Sequence, residues 1–317
     1  TVADGGTQVA YSGGWTSGTT VNSGGIQFAG SGGNMSNTTV NSGGTQGLAG
    51  GNAINNTINA GGTQSVAAGH ADENIINGGV QNIEKGALAT SNTVNDGGVQ
   101  NIKDGASATD NTINSGGIQN ISGGGLALNN TVNNGGRRNV SSGGQAINNI
   151  VNSGGIQSVE GGGVAKNNSV GSGGTQLIAS GGTGINNFIS AGGVQNITSG
   201  GITTSDTLTD GAKETVASGG KAEGTNVGTG SEQNVESGGS ATGTNVSSGG
   251  TQLVTKGGNT QGTNLLGGSQ TVNGNDKNAS IGSGSEQTVA SGGSATGATV
   301  ANGGSQVTET GGTTNNT

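Results

Sequence analysis

The chain has 317 residues, 74 of them glycine, and carries a net charge of −8. Only 26% of its residues are hydrophobic, against roughly 45–50% in ordinary soluble domains, so a single compact core of normal size is excluded. The lack of cysteine excludes disulfides and thiolate metal sites, and the 9 basic residues are too few for a nucleic-acid partner. The chain is therefore either disordered or a repeat protein with a thin core.

A repeat of about 19 residues decides between these two possibilities, because disorder does not fix the spacing of valine and isoleucine. The unit reads G-G-x-Q-x-V-x-x-G-G-x-A-x-x-N-x-V-x-x, and 317 residues hold just under seventeen copies. In chain order each copy predicts a strand with the glutamine, a glycine turn, a strand with a small residue, and a strand with the second valine. Gln8 and Gln306 are the first and last glutamines of the series, and Arg138 and Glu214 replace it twice.

Stacked copies of this unit predict an all-β fold, a right-handed parallel β-helix (β-solenoid) of about seventeen coils. Strand alternation places the glutamine on the inward side together with the valine two residues later. Because Arg138 and Glu214 would be costly to bury, we expect the glutamine column at a corner, with its amides paired along the stack or with turn backbone. The asparagine two residues before the second valine is expected to pair in the same way.

The first two coils hold an aromatic cluster of Tyr11, Trp15 and Phe28, next to Met35. We expect a wider core here, near the N-terminal end, with a sugar-stacking site as the alternative interpretation. His70, the single histidine, is expected to be a turn residue, because a metal site would need partner ligands.

The charged residues predict neither an active site nor a cofactor. A β-helical polysaccharide lyase or hydrolase needs carboxylates that converge on one groove, whereas the acids here are scattered. The pairs Glu84 with Lys103 and Lys85 with Asp104 lie one coil apart and predict weak surface ion pairs. We therefore expect no catalytic residue, no metal and no cofactor. The tightest acid groups are Asp72 with Glu73, and Asp206 with Asp210 near Glu214.

The blocks Thr39–Gln46 and Ser291–Thr296 resemble the repeats of self-associating autotransporter adhesins of Gram-negative bacteria, of the AIDA, antigen-43 and TibA-like types. The resemblance covers essentially all 317 residues. It implies a passenger exported through a C-terminal outer-membrane barrel and displayed at the cell surface, with roles in aggregation, biofilm formation and host adhesion. We expect residues 1–317 to be one β-helical domain, a fragment of a longer passenger without its signal peptide and translocator barrel.

The same resemblance implies O-linked heptose, added to serine or threonine by a heptosyltransferase before export. The candidates are serines that precede glycine pairs; the alternative is that each hydroxyl bonds the local turn backbone. They are Ser12, Ser31, Ser142, Ser180, Ser199, Ser218, Ser237 and Ser291 in one column, and Ser23, Ser42, Ser115, Ser153, Ser172 and Ser248 in the other.

If the chain self-associates, we expect columns of outward polar side chains to contact a second copy on a neighbouring cell. Each contact would be weak, but the repeat provides many of them, which raises the overall affinity. The candidate ladders are Asn82, Asn101, Asn120 and Asn139 on a strand, and Asn41, Asn59, Asn77, Asn95, Asn114, Asn133 and Asn152 at a turn. A host surface receptor or glycan is the other expected partner. The alternative function is a glycan-binding or glycan-processing β-helix.

Overall fold

Short apolar stretches between glycine pairs favour strands over helices, because the glycines interrupt any helix and the β-branched residues fit a pleated surface. The computed structural model describes residues 1–316, and every regular element in that range is a β-strand. The chain forms two compact units: the first comprises residues 1–157, and the second begins at Ser158. Each unit is a right-handed parallel β-helix in which a coil contributes three strands, here called the Gln strand, the Ala strand and the Val strand.

The first unit contains eight Val strands. Its Gln strands are Thr7–Ala10, Ile26–Ala29, Val80–Ile83, Val99–Ile102, Ile118–Ile121 and Arg137–Val140. Its Ala strands are Trp15–Ser17, Asn34–Ser36, Leu88–Thr90, Ser107–Thr109, Leu126–Leu128 and Gln145–Ile147. In two coils the Gln and Ala strands are continuous, as Thr45–Ile54 and Thr63–Asp72. Its Val strands are Thr20–Val21, Thr39–Val40, Thr57–Asn59, Ile75–Asn77, Thr93–Val94, Thr112–Ile113, Thr131–Val132 and Ile150–Val151.

The second unit repeats this pattern, and the division between the units falls within the strand Ile156–Val159. Its Gln strands are Thr175–Ile178, Val194–Ile197, Lys213–Val216, Glu232–Val235, Thr251–Val254, Ser269–Val272, Glu286–Val289 and Ser305–Thr308. Its Ala strands are Val164–Lys166, Thr183–Ile185, Ile202–Thr204, Lys221–Glu223, Ser240–Thr242, Asn259–Gln261, Asn275–Lys277, Ser294–Thr296 and Thr313–Asn315. Its Val strands are Ser169–Val170, Phe188–Ile189, Thr207–Leu208, Asn226–Val227, Asn245–Ser247, Asn264–Leu266, Ser280–Ile281 and Thr299–Val300.

Equivalent residues of successive coils pair in parallel register. Gln100 lies beside Gln119, and Ala108 lies beside Ala127. Within each unit the Gln and Ala strands belong to one sheet and the Val strands to a second. In the Gln strand the glutamine and the following valine or isoleucine are buried while their neighbours face outward, as the alternation predicts.

The glutamine column forms a hydrogen-bonded ladder in the interior. It runs unbroken from Gln8 to Arg138 in the first unit and is interrupted between Gln195 and Glu214 in the second. In the first unit Gln119 Nε2 donates to Gln100 Oε1 at 2.8 Å, and Gln100 Nε2 donates to Gln81 Oε1 at 2.7 Å. The predicted pairing along the stack is thus present, but the predicted corner position is wrong. The column lies in the interior, and Arg138 and Glu214 are buried with it. The cost of burying a charge is real, but coil register fixes these side chains inward regardless.

A second buried column, of asparagines, closes the corner before the Val strand. Asn111 Oδ1 accepts the backbone N–H of Asn92 at 2.8 Å, and Asn111 Nδ2 donates to the carbonyl of Ala89 at 3.1 Å. The side-chain amide thereby supplies the acceptor and donor that backbone groups need at the bend.

Glycine turns join the strands and also pair from coil to coil. Gly43 has φ 73°, in the left-handed region that favours glycine. Its N–H donates to the carbonyl of Gly61 at 2.9 Å, and a side chain at this position would collide with Ser23 of the preceding coil. This turn position therefore requires glycine for both backbone conformation and space.

Candidate functional site

The strand asparagines chosen as self-association candidates form an outward amide ladder in the first unit. Asn101 Nδ2 donates to Asn82 Oδ1 at 2.9 Å, and Asn120 Nδ2 donates to Asn101 Oδ1 at 2.9 Å. Asn139 extends the ladder by donating to Asn120 at 2.8 Å. These side chains are half-buried or exposed. Each amide is therefore held by its neighbours while it keeps one N–H and acceptor capacity for an external partner.

The asparagines predicted at turns form a second ladder, which is broken once. Two of them, Asn59 and Asn77, are the last residues of Val strands and do not lie in turns as predicted. Asn59 Nδ2 donates to Asn41 Oδ1 at 3.0 Å, and a second run begins where Asn95 Nδ2 donates to Asn77 Oδ1 at 2.7 Å. Within the first unit there is no such bond between Asn59 and Asn77. The second run continues through Asn114, Asn133 and Asn152.

The structure also contains outward amide pairs and ladders that sequence reasoning missed, among them Asn275 with Asn259. Asn52 Nδ2 donates to Asn34 Oδ1 at 2.8 Å in the first unit. In the second unit Asn245 donates to Asn226 at 2.9 Å, and Asn264 donates to Asn245 at 3.0 Å. The recurrence of asparagine at the coil spacing could have predicted these contacts. The signal was weak, because threonine and other residues occupy the same columns in other coils.

All fourteen candidate serines lie at turns and are exposed. Within residues 1–316 none of their hydroxyls has a hydrogen-bond partner in the protein. The expected bonds from these hydroxyls to local turn backbone are therefore not formed. The serines are Ser12, Ser23, Ser31, Ser42, Ser115, Ser142, Ser153, Ser172, Ser180, Ser199, Ser218, Ser237, Ser248 and Ser291.

Glycines of the next coil leave open space beside several of these hydroxyls. A Cβ placed on Gly61 would lie 2.6 Å from Ser42 Oγ, and one on Gly135 would lie 2.7 Å from Ser115 Oγ. Because glycine has no side chain, a group attached to the serine meets no side chain from that residue.

The buried ionisable side chains do not line an open groove. Burial raises the pKa of Glu214 to about 8 and that of Asp206 to about 6, and it lowers the pKa of Arg138 to about 9. Burial also raises the pKa of Asp276, whose carboxylate accepts a bond from Thr260 Oγ1 at 2.7 Å. These side chains face the interior, where a substrate has no access, so they are structural groups.

One of the two predicted surface ion pairs is formed. Lys103 Nζ lies 2.8 Å from Glu84 Oε1, whereas Lys85 and Asp104 form no ion pair within the described range. The hydrogen bond and charge of Glu84 raise the pKa of Lys103. In residues 1–316 no group of three or more His, Cys, Asp or Glu side chains could hold a metal ion. In the same range no helix has the length and apolarity that a membrane span requires.

The aromatic cluster is placed differently from the main expectation. Met35 is fully buried, but Tyr11 is 65% exposed and Trp15 is 60% exposed. The predicted wider core is therefore wrong for these two rings, which lie on the outward side of their coil. His70 lies in the strand Thr63–Asp72 and not in a turn.

Comparison with solved structures gives a match over nearly the full length. The chain is similar to a crystallised TibA fragment, hyper-glycosylated by TibC, with 36% identity and a TM-score of 0.77, covering 97% of this chain and 100% of that chain. A mannuronic-acid-specific polysaccharide family 6 lyase from human gut microbiota aligns with 98% of this chain and 79% of its own. Its TM-score of 0.23 and identity of 8% are too low to support a structural or functional inference. No family model and no curated protein sequence matches the chain.

Proposed function

The chain belongs to the family of TibA-like autotransporter adhesin passengers, and from this we propose that it is a non-enzymatic adhesin that bacteria display at the cell surface for self-association and host attachment. The observation that carries this proposal is the 36% identity over 97% of the chain to the TibA fragment. Within this proposal the chain is the passenger part of a longer protein, and its export and anchoring depend on segments outside residues 1–317.

A structural role without catalysis is supported by where the acids lie. Asp206 and Glu214 are buried in the core, and Asp210 is exposed at a turn. The carboxylates therefore do not converge on an open groove, which glycoside chemistry on a β-helix would need.

Self-association is supported by the two outward asparagine ladders of the first unit. Their amides are pre-ordered by bonds along the column, so an approaching copy meets side chains that have already lost much of their conformational freedom. Each contact would be weak and hydrated, and repetition along a column multiplies it.

A settling assay of cells that display the chain tests this role. The double variant Asn101→Lys with Asn120→Lys places like charges on the strand ladder, so two copies meeting at this face repel each other. We expect the settling rate to fall about tenfold or more, since repulsion of even 1.4 kcal/mol changes an association constant tenfold.

The matched control is Thr90→Lys with Thr109→Lys, which adds the same charge on the outward side of two Ala strands that carry neither asparagine ladder. This control is expected to settle as the parent does. Equal settling by the ladder variant and the parent would reject the strand ladder as the contact surface. Loss of settling by both variants would point to net charge and not to a specific face.

Glycosylation is supported by exposed serine hydroxyls that no protein group occupies and by the TibC-catalysed modification of the similar TibA fragment. We propose that a heptosyltransferase acts on some of the fourteen turn serines before export. Intact mass of chain made in its own host is the test. A ladder of sugar-sized mass increments is expected, and it should shorten when Ser115 and Ser142 are changed to alanine. An unmodified polypeptide mass would reject the proposal.

A further inference from the structure

Aromatic residues are concentrated at one place in this chain. The sequence holds one Trp, one Tyr and two Phe, and three of these four lie between residues 11 and 28. The same region is uncharged, because residues 5–71 contain no Asp, Glu, Lys or Arg. A partner that binds here is therefore selected by shape, apolar contact and hydrogen bonding, and not by charge.

The rings lie on the outward side of the first two coils. Tyr11 follows the Gln strand Thr7–Ala10, and Trp15 begins the Ala strand Trp15–Ser17 of the same coil. The Tyr11 and Phe28 rings meet edge to face, with centroids 6.5 Å apart. Phe28 is half-buried beneath this contact, while Tyr11 and Trp15 are mostly exposed.

Glycines of the following coils hold two of these rings close to the backbone. A Cβ on Gly30 would collide with the Tyr11 ring, and one on Gly47 would lie 3.2 Å from Phe28 Cδ2. Absence of a side chain at Gly30 lets the Tyr11 ring lie against the neighbouring coil with its other side open. The rings are thereby supported from below, which reduces the entropy lost when a ligand packs on them.

A polar column runs away from Trp15 on the same sheet. Trp15, Asn34, Asn52 and His70 occupy successive coils in register, at a spacing of about 4.8 Å. Asn52 donates to Asn34, so both amides are fixed in place, and His70 is exposed. The Trp15 ring thus lies at the end of a column of polar side chains, in which the Asn34 and Asn52 amides are held by a hydrogen bond.

We propose that Tyr11, Trp15, Phe28, Asn34 and Asn52, here called the aromatic patch, bind a neutral carbohydrate. A pyranose has an apolar C–H face that packs on aromatic rings and equatorial hydroxyls that bond amides, which is the combination present here. Exposed apolar groups rimmed by polar side chains commonly mark a binding site. This inference deepens the proposed adhesin function, on which it rests, by naming the chemical class of one surface partner.

Trp15 gives a direct readout, because it is the sole tryptophan of the chain. The purified chain is titrated with lactose, maltotriose, chitotriose and mannotriose, and trigalacturonate serves as the charged comparison. At least one neutral sugar is expected to shift Trp15 emission saturably at millimolar or lower concentration. Trigalacturonate is expected to bind more weakly, since no cation lies in this region to offset its desolvation.

The variant Tyr11→Ala keeps the tryptophan reporter while it removes one ring. It should weaken binding about fivefold or more, the effect of losing about 1 kcal/mol of contact. Tyr11→Phe keeps the ring and should bind as the parent does. Phe188→Ala removes the one aromatic residue outside this region, from the second unit, and is the matched control. Unchanged far-ultraviolet dichroism and melting temperature show that Tyr11→Ala is folded.

Several results would overturn the inference. The first is that no neutral sugar gives a saturable response, and the second is that Tyr11→Ala binds sugar as well as the parent does. The third is a change in Trp15 emission that depends on protein concentration alone, which would make the patch a contact between copies. The settling assay separates this inference from the proposed function. If cells displaying the parent chain settle but the parent binds no neutral sugar, the patch alone is rejected. If the parent binds sugar but cells displaying it do not settle, self-association alone is rejected.

Discussion

At the scale of single residues, the interior shows how one substitution changes the chemistry of a repeated column. Where the glutamine ladder is unbroken, the Nε2 of one coil donates to the Oε1 of the preceding coil. Glu214 has no N–H to donate, and both Glu214 Oε2 and the facing Gln195 Oε1 are buried without a partner. A protonated Glu214 supplies the missing donor, and a pKa raised to about 8 by burial keeps it protonated at neutral pH.

This protonation predicts an unusual pH dependence of stability. The folded pKa of Glu214, about 8, lies above its ordinary value of 4.5, so the stabilisation is complete below pH 4.5 and is lost as pH rises towards 8. Nearby Asp206, with its pKa raised to about 6, shifts stability in the same direction. Among the groups packed on Glu214 in the core, Gln195, Gln233 and Thr225 are uncharged, so only Asp206 adds charge.

Glu214→Gln restores the amide and should remove most of this dependence. At pH 9 we expect the variant to be more stable than the parent by at least about 2 kcal/mol, since each unit of pKa shift corresponds to about 1.4 kcal/mol. At pH 4 the two should differ little. Denaturant unfolding across this pH range is the measurement, and a parent stability that rises from pH 5 to 8 would contradict the protonated ladder.

At the scale of the element, the inward and outward asparagine columns have the same composition but different roles. Inward Asn111 replaces backbone hydrogen bonds at a corner, with its Oδ1 and Nδ2 both engaged. Outward Asn101 bonds only to other exposed or half-buried amides, with water available in their place.

The contrast predicts unequal costs for the same substitution. Asn111→Leu leaves the backbone N–H of Asn92 and the carbonyl of Ala89 buried without partners, so it should destabilise the chain by about 2–5 kcal/mol. Asn101→Leu is the matched control and should cost less than about 1 kcal/mol. Thermal and denaturant unfolding measure both. Comparable losses would mean that the outward ladder is as structural as the inward column.

At the scale of the whole molecule, the repeat made the fold and both outward ladders predictable, because strand alternation assigns a side to every residue of a column. The burial of Arg138 and Glu214 in the interior was not predictable, since sequence shows the cost of a buried charge but not the register that overrides it. The exposure of Tyr11 and Trp15 was also missed, because apolar rings usually indicate core. Lys85 and Asp104 stay apart, since an exposed pair gains little in water.

Cross-linking between copies tests the central claim, that this is an adhesin whose copies meet along the strand asparagine ladder. The chain contains no cysteine, so Asn120→Cys and Thr109→Cys each place a single thiol, the first on the strand ladder and the second on an Ala strand that carries neither ladder. Cells displaying each variant are mixed, allowed to settle and oxidised. The account predicts disulfide-linked dimers for Asn120→Cys and few for Thr109→Cys; settled cells with the opposite pattern, or with no dimers in either, would contradict it.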